Sequence, residues 1–169
     1  EDIRIYFDEL ENSYSETSKS WKFAYNWIDS LVFALVGIAI VFTLLFRVVG
    51  VNGESMKPTL NSGDWLTVKA INTTYERGDI VVITQPNSLN EPLIKRVVAV
   101  AGDTVDINFA QGTVKINGEL INEPYIAEPT ERMFDVAFPV TVPDGCVFVM
   151  GDNRNNSLDS RSTTVGFID

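Results

Sequence analysis

Hydrophobic and polar positions are distributed very unevenly along this chain. Residues 1 to 20 are acidic and polar, with Ile3, Ile5, Phe7 and Leu10 scattered among charges, and read as a solvated, partly disordered tail. From Leu31 to Phe46 there is no charged side chain, and Thr43 is the one strongly polar residue. With Trp27, Ile28, Val48 and Val49 the run reaches the roughly 20 residues that cross about 30 Å of hydrocarbon. A helix buried in a soluble domain would carry polar positions every third or fourth residue, and this one does not. Trp21, Phe23, Tyr25 and Trp27 suit an aromatic belt at one interface, and Arg47 can snorkel at the other. Residues 21–49 therefore read as a transmembrane anchor helix with an interfacial aromatic flank. A cleavable secretory signal fits less well, because an acidic stretch stands where a basic region belongs. The flanking charges give no clean orientation.

After Val51 the texture changes to short alternating runs. D-W-L-T-V-K-A-I, D-I-V-V-I-T, L-I-K-R-V-V-A-V-A, T-V-D-I, T-V-K-I and C-V-F-V-M all have the period and β-branched content of strands. Clusters of Gly, Pro, Asn and Asp separate them. The strongest local signal is I-N-G-E, where Asn117-Gly118 favours a type I′ hairpin turn. No helix-period segment follows residue 60. The pattern predicts an all-β domain over residues 50–169, built of short antiparallel strands and carried by one N-terminal helix.

Composition narrows the chemistry. The 169 residues suffice for one domain with a core plus an appendage. A formal net charge of −10, with no clustered basic patch, argues against nucleic acid as a partner. The single cysteine, Cys146, precludes an internal disulfide and reads as a buried small hydrophobe. There is no histidine, which removes Ser-His-Asp and Cys-His catalysis and the usual zinc sites. No metal and no cofactor is expected. A hydrolase built on this chain needs a lysine, a carboxylate or a metal-bound water as its base.

The loop V-N-G-E-S-M-K-P-T-L holds one candidate nucleophile, Ser55. Gly50 and Gly53 allow close backbone approach, and Pro58 stiffens the chain after it. Taken alone, the same residues describe an ordinary turn. In L-I-K-R-V-V-A-V-A, alternation puts Lys95 on one strand face with Leu93, Val97 and Ala99. Apolar neighbours disfavour the charged ammonium and lower its pKa, towards the range a general base needs. The competing reading is an edge-strand lysine that reaches water. The third candidate is M-G-D-N-R-N-N-S-L-D-S-R, residues 150 to 161. A calcium loop is disfavoured, since Arg154 occupies the third position of a loop counted from Asp152 and the sixth position lacks glycine. Interleaved Asp and Arg suggest internal ion pairs that fix a loop.

The segments G-E-S-M-K-P-T-L, I-K-R-V-V-A-V-A-G-D and G-D-N-R-N-N-S-L-D-S-R follow a membrane helix in that order. Together, over residues 27 to 166, they closely resemble the bacterial type I signal peptidases, membrane-bound Ser-Lys proteases that release secreted proteins. The resemblance implies a signal-peptidase-like β fold, with Ser55 as nucleophile and Lys95 as general base. Ser157 would hydrogen-bond and orient the lysine amine. Asp159 would pair with Arg161, and Asp152 with Arg96. Met56 and Ile94 would wall shallow pockets for small residues, with Leu60 and Leu66 as further pocket candidates. The oxyanion would be held by the N–H of Ser55. Some members add a serine hydroxyl two residues earlier, where this chain has Gly53. Implied partners are signal-peptide-bearing preproteins cut after Ala-x-Ala-like sequences, and a lipid bilayer. The implied topology is single-pass, with the N-terminus cytoplasmic and the catalytic domain outside. The self-cleaving SOS repressors share the Ser-Lys β fold but would carry a DNA-binding domain in place of the membrane helix. A catalytically dead binding module would have no need of an intact Ser55, Lys95 and Ser157.

Overall fold

The computed structural model describes residues 2–70, 74–84 and 91–169, and it divides into two compact units, 1–46 and 47–169. The first is one long helix, α1 (Asp2–Leu45), which continues back through the acidic stretch expected as a tail. Its portion Trp21–Leu45 is long and apolar enough to cross a membrane. Large apolar side chains along it are uncovered by protein, Phe33 being 77% exposed, as no core helix of a soluble domain would be. The hydroxyls of Ser30 and Thr43 donate to the carbonyls of Asn26 (2.8 Å) and Ala39 (2.6 Å), so neither polar group needs water.

The helix stops at Leu45, short of the Val49 expected from hydropathy. Phe46–Gly50 instead forms strand β1, paired with β2 (Trp65–Lys69). Hydropathy could not separate the two, since Val48 and Val49 suit an apolar helix and a strand alike. The remaining elements are β3 (Ile80–Ile83), β4 (Leu93–Val100), β5 (Thr104–Asn108), β6 (Thr113–Ile116), β7 (Glu119–Leu120), β8 (Val140–Thr141) and β9 (Val147–Met150). All six strands read from alternation are present, though Ile71, at the end of the first, lies outside the described residues. Strands β1, β7 and β8 were not foreseen. Past residue 60 the described residues contain no helix longer than the 3-10 turn Arg154–Asn156.

Two sheets organise the second unit. In one, β4 lies between β3 and β9, antiparallel to both, with Lys95 opposite Val81 and Arg96 opposite Met150. The other runs β7-β6-β5-β8, and its β5–β6 and β6–β7 hairpins turn on Gly112 and on Asn117-Gly118. Asn117 (φ 54°) and Gly118 (φ 85°) both have positive φ, as the predicted turn requires. Val105, Ile107, Val114 and Ile116 of this sheet pack on Val98, Ala99, Phe148 and Met150, forming the main core. Cys146 is half-buried at its edge. Val97 joins a second cluster with Ile83, Val147 and Val149. A register shift between Val97 and Ala99 sends these two residues to different clusters, so the simple alternation through Lys95 holds only as far as Val97.

Candidate active site

Strand β1 leads into a loop whose ends are tied together. Val51 N–H donates to the Asp64 carbonyl (2.8 Å), and Gly63 N–H donates back to the Val51 carbonyl (2.9 Å). Inside the loop, Lys57 N–H donates to Glu54 (3.2 Å) and Leu60 N–H to Met56 (2.9 Å), winding residues 54–60 into consecutive turns. Gly53 starts that winding at φ +103°, where a side chain would be strained. Its N–H donates to the Ser62 hydroxyl at 3.3 Å. Ser55 sits half-buried in the turn, and the next residue, Met56, is 2% exposed.

Strand β4 brings Lys95 to this turn. Its Nζ lies 2.8 Å from Ser55 Oγ and 3.1 Å from the Ile94 carbonyl, and the residue is only 3% exposed. Burial pushes the ammonium's pKa below the ordinary lysine value, while the Asp159 carboxylate works in the opposite direction. Lys95 forms no salt bridge with a carboxylate among the described residues, and so it can lose its proton without stranding a paired counter-charge.

The adjacent Arg96 is held very differently. Its guanidinium grips Asp152 through two bonds, Nε to Oδ1 (2.8 Å) and Nη2 to Oδ2 (2.6 Å), donates to the Gly78 carbonyl, and lies 4.1 Å from the Tyr125 ring centroid. Asp152 also accepts from Thr59 of the Ser55 loop. Tyr125, desolvated and beside Glu123, has its phenol pushed up to about 12. Arg161 makes the second fork, Nε to Asp159 Oδ1 (2.8 Å) and Nη2 to Oδ2 (2.9 Å), both residues being fully buried. The same carboxylate receives the Gly151 N–H (3.0 Å). Fully hydrogen-bonded pairs of this kind rigidify a loop without needing an apolar filling.

Ser157 is placed beside this centre, but the expected bond to the lysine amine is not formed: its buried Oγ has no hydrogen-bond partner among the described residues. Leu60 and Leu66 line a groove of about 650 Å³ with Arg47, Val49, Ile80 and Val82, whereas Met56 and Ile94 do not line it. Met56 is enclosed and Ile94 is half-buried opposite Val82.

Sequence reasoning gave no specific role to six contributors. Arg154 is almost wholly buried, paired with Glu123, bonded to Thr130 and donating to the Gly151 carbonyl (3.1 Å). Glu123 and Thr130 come from a stretch with no motif, so nothing local announces them. A Cβ added at Gly151 would stand 2.3 Å from Ser157 Oγ and 2.5 Å from the Ser55 carbonyl, so only glycine fits between the two serines. Thr59 and Asn153 tie the Ser55 loop to the 152–153 segment. Their presence inside quoted motifs was the only available signal.

Residues 24–169 match the family model described as "Signal peptidase, peptidase S26". A signal peptidase I from Bacillus amyloliquefaciens is 38% identical over 81% of this chain and 77% of its own length. Signal peptidase I S of Bacillus subtilis (strain 168) is 37% identical, covering 88% and 84%. A probable signal peptidase I-1 from Synechocystis is 38% identical, covering 83% and 74%. A solved signal peptidase I from Enterococcus faecalis V583 aligns with a TM-score of 0.46 at 31% identity, over 57% of this chain and 91% of that one. With a family match across all of the β unit and most of the apolar helix segment, and relatives this similar over most of their length, the chain belongs to the peptidase S26 family of signal peptidases.

Proposed function

We propose that this enzyme removes signal peptides from secreted preproteins with a Ser55–Lys95 dyad. The observation that carries the reading is the 2.8 Å approach of a buried lysine amine to a loop hydroxyl. Neutral Lys95 takes the Ser55 proton as Oγ attacks the scissile carbonyl, and returns it to the leaving amine as the acyl-enzyme forms. Water, activated by the again neutral amine, then releases the acyl group. The Ser55 N–H, which meets no acceptor among the described residues, serves the oxyanion. Gly53 N–H is turned towards Ser62, so it is not the second donor in this conformation. Asp152–Arg96 and Asp159–Arg161 hold the surrounding loop. Ser157 has a hydroxyl to spare for the amine once a substrate displaces Lys95 from its present geometry.

Selectivity for small, Ala-x-Ala-like residues follows from Met56 and Ile94 as walls next to the dyad, and Leu60 and Leu66 supply apolar surface further along. We assign Trp21–Leu45 to the membrane anchor and residues 46–169 to a catalytic domain outside the cytoplasm, with residues 1–20 inside. The deciding experiment incubates the purified chain in detergent with a preprotein and maps the cut by mass spectrometry. Cleavage after a small residue at the signal junction, lost in Ser55→Ala, is expected. Cleavage elsewhere, or undiminished in Ser55→Ala, overturns the reading.

A further inference from the structure

Ser55 belongs to two peptide units, and each is held by the same residue. The Asn153 side-chain Nδ2 donates to the Glu54 carbonyl at 3.1 Å, and the Asn153 backbone N–H donates to the Ser55 carbonyl at 2.9 Å. A peptide group is planar and trans, so the carbonyl of residue 54 and the N–H of Ser55 lie in one plane and point in opposite directions. Fixing one fixes the other. A carbonyl anchored to Asn153 therefore leaves the Ser55 N–H facing away from it, and that N–H meets no acceptor among the described residues. The second bond fixes the plane on the other side of Ser55, and with it the two backbone torsions that carry Oγ.

We propose that Asn153 is a positioning residue that orients the oxyanion donor: its amide sets the plane whose other end is the Ser55 N–H. The inference rests on Ser55 acting as the nucleophile. Asn153 itself is half-buried, reaches the loop through the 3-10 turn that starts at Arg154, and touches neither Lys95 nor its hydroxyl partner. Loss of its amide donor frees the 54–55 peptide to rotate, which weakens the oxyanion hydrogen bond without altering the base. Donation by the Asn153 backbone survives a side-chain change, so the loop keeps one tether.

The test compares Asn153→Asp and Asn153→Ala with the unaltered full chain in detergent, cleaving one preprotein. Asn153→Asp is isosteric but sets an acceptor against the Glu54 carbonyl. Losing an oxyanion donor outright costs about 100- to 1,000-fold in kcat, and a misaligned one is expected to cost about 10- to 100-fold. The expected result is that fall in kcat in both variants, with KM within about twofold, an unchanged melting temperature and an unchanged pH limb of kcat/KM. Three results overturn the proposal. Unaltered kcat in both variants removes any role. A fall in kcat that tracks a lowered melting temperature and recovers at a cooler assay temperature assigns Asn153 to stability alone. A shifted pH limb assigns its effect to Lys95. Ser55→Ala is run alongside: residual full activity there would fail the nucleophile assignment itself, whatever the Asn153 variants do.

Discussion

The β5–β6 hairpin and the 150–161 loop are both densely packed, and they are packed by opposite means. The hairpin buries Val105, Ile107, Val114 and Ile116 against Phe148 and Met150, and its polar side chains face outward. The loop buries Asp152, Arg154, Asp159 and Arg161, each paired and each multiply hydrogen-bonded. An apolar interior tolerates small shifts at modest cost, because dispersion and the hydrophobic effect have little directionality. Forked ion pairs have no such tolerance. The loop that flanks the Ser55 hydroxyl is thus the one held by directional bonds, while among the described residues Lys95 of β4 is the one buried cation without a salt-bridged carboxylate. The difference separates cations held by a carboxylate from an amine whose charge burial disfavours.

The largest effects should come from that one group and its partner. Ser55→Ala and Lys95→Ala are expected to abolish preprotein cleavage while leaving the β unit folded by circular dichroism, and Lys95→Arg should be equally inactive, since guanidinium stays charged. The sign of the pH dependence is set by burial. The base works when neutral, and its pKa lies below the ordinary lysine value, so kcat/KM should rise with pH along a limb centred below 10.5. A limb governed by a carboxylate at acid pH would refute the lysine base.

Gly151→Ala probes the directional region directly. The new methyl must displace Ser157 or the Ser55 backbone, and a displacement of that kind costs about 100-fold in rate. Gly112→Ala in the hairpin region meets Pro129 Cβ at 2.3 Å and has φ +66°, so it should lower the melting temperature and leave kcat nearly intact. Equal losses of kcat in the two variants would erase the distinction between the regions. Arg161→Met leaves Asp159 buried without its partner, and a broken pair of this type costs about 3–5 kcal/mol of stability. Ile116→Val removes one methylene from the main core and should cost only about 0.5–1.5 kcal/mol. Denaturation of both variants in one detergent gives the ratio; a smaller loss for Arg161→Met than for Ile116→Val would show that the loop's ion pairs add nothing to its integrity.

Much of this protein was determined by its sequence alone. An uncharged run long enough for a bilayer can satisfy its backbone only as a helix or in a closed barrel, and Thr43 hides its hydroxyl on its own helix. Strand periodicity and the Asn117-Gly118 turn are local properties, which is why β2 to β6 and β9 were legible. The lack of histidine left lysine as the natural base, and alternation put Lys95 among apolar residues. Where those local rules compete, the structure decided: Val48 and Val49 pair in β1 because β2 offers them hydrogen bonds that hydropathy cannot see. The bulge after Val97 likewise depends on register with β9 and has no signature in β4 itself. Long-range closure decided the rest. That Ser55 and Lys95 meet, that Arg154 finds Glu123, and that Gly151 and Asn153 brace the Ser55 turn are relations between residues far apart in the chain. A hydrogen bond depends on position and direction at once, and only the folded backbone supplies both.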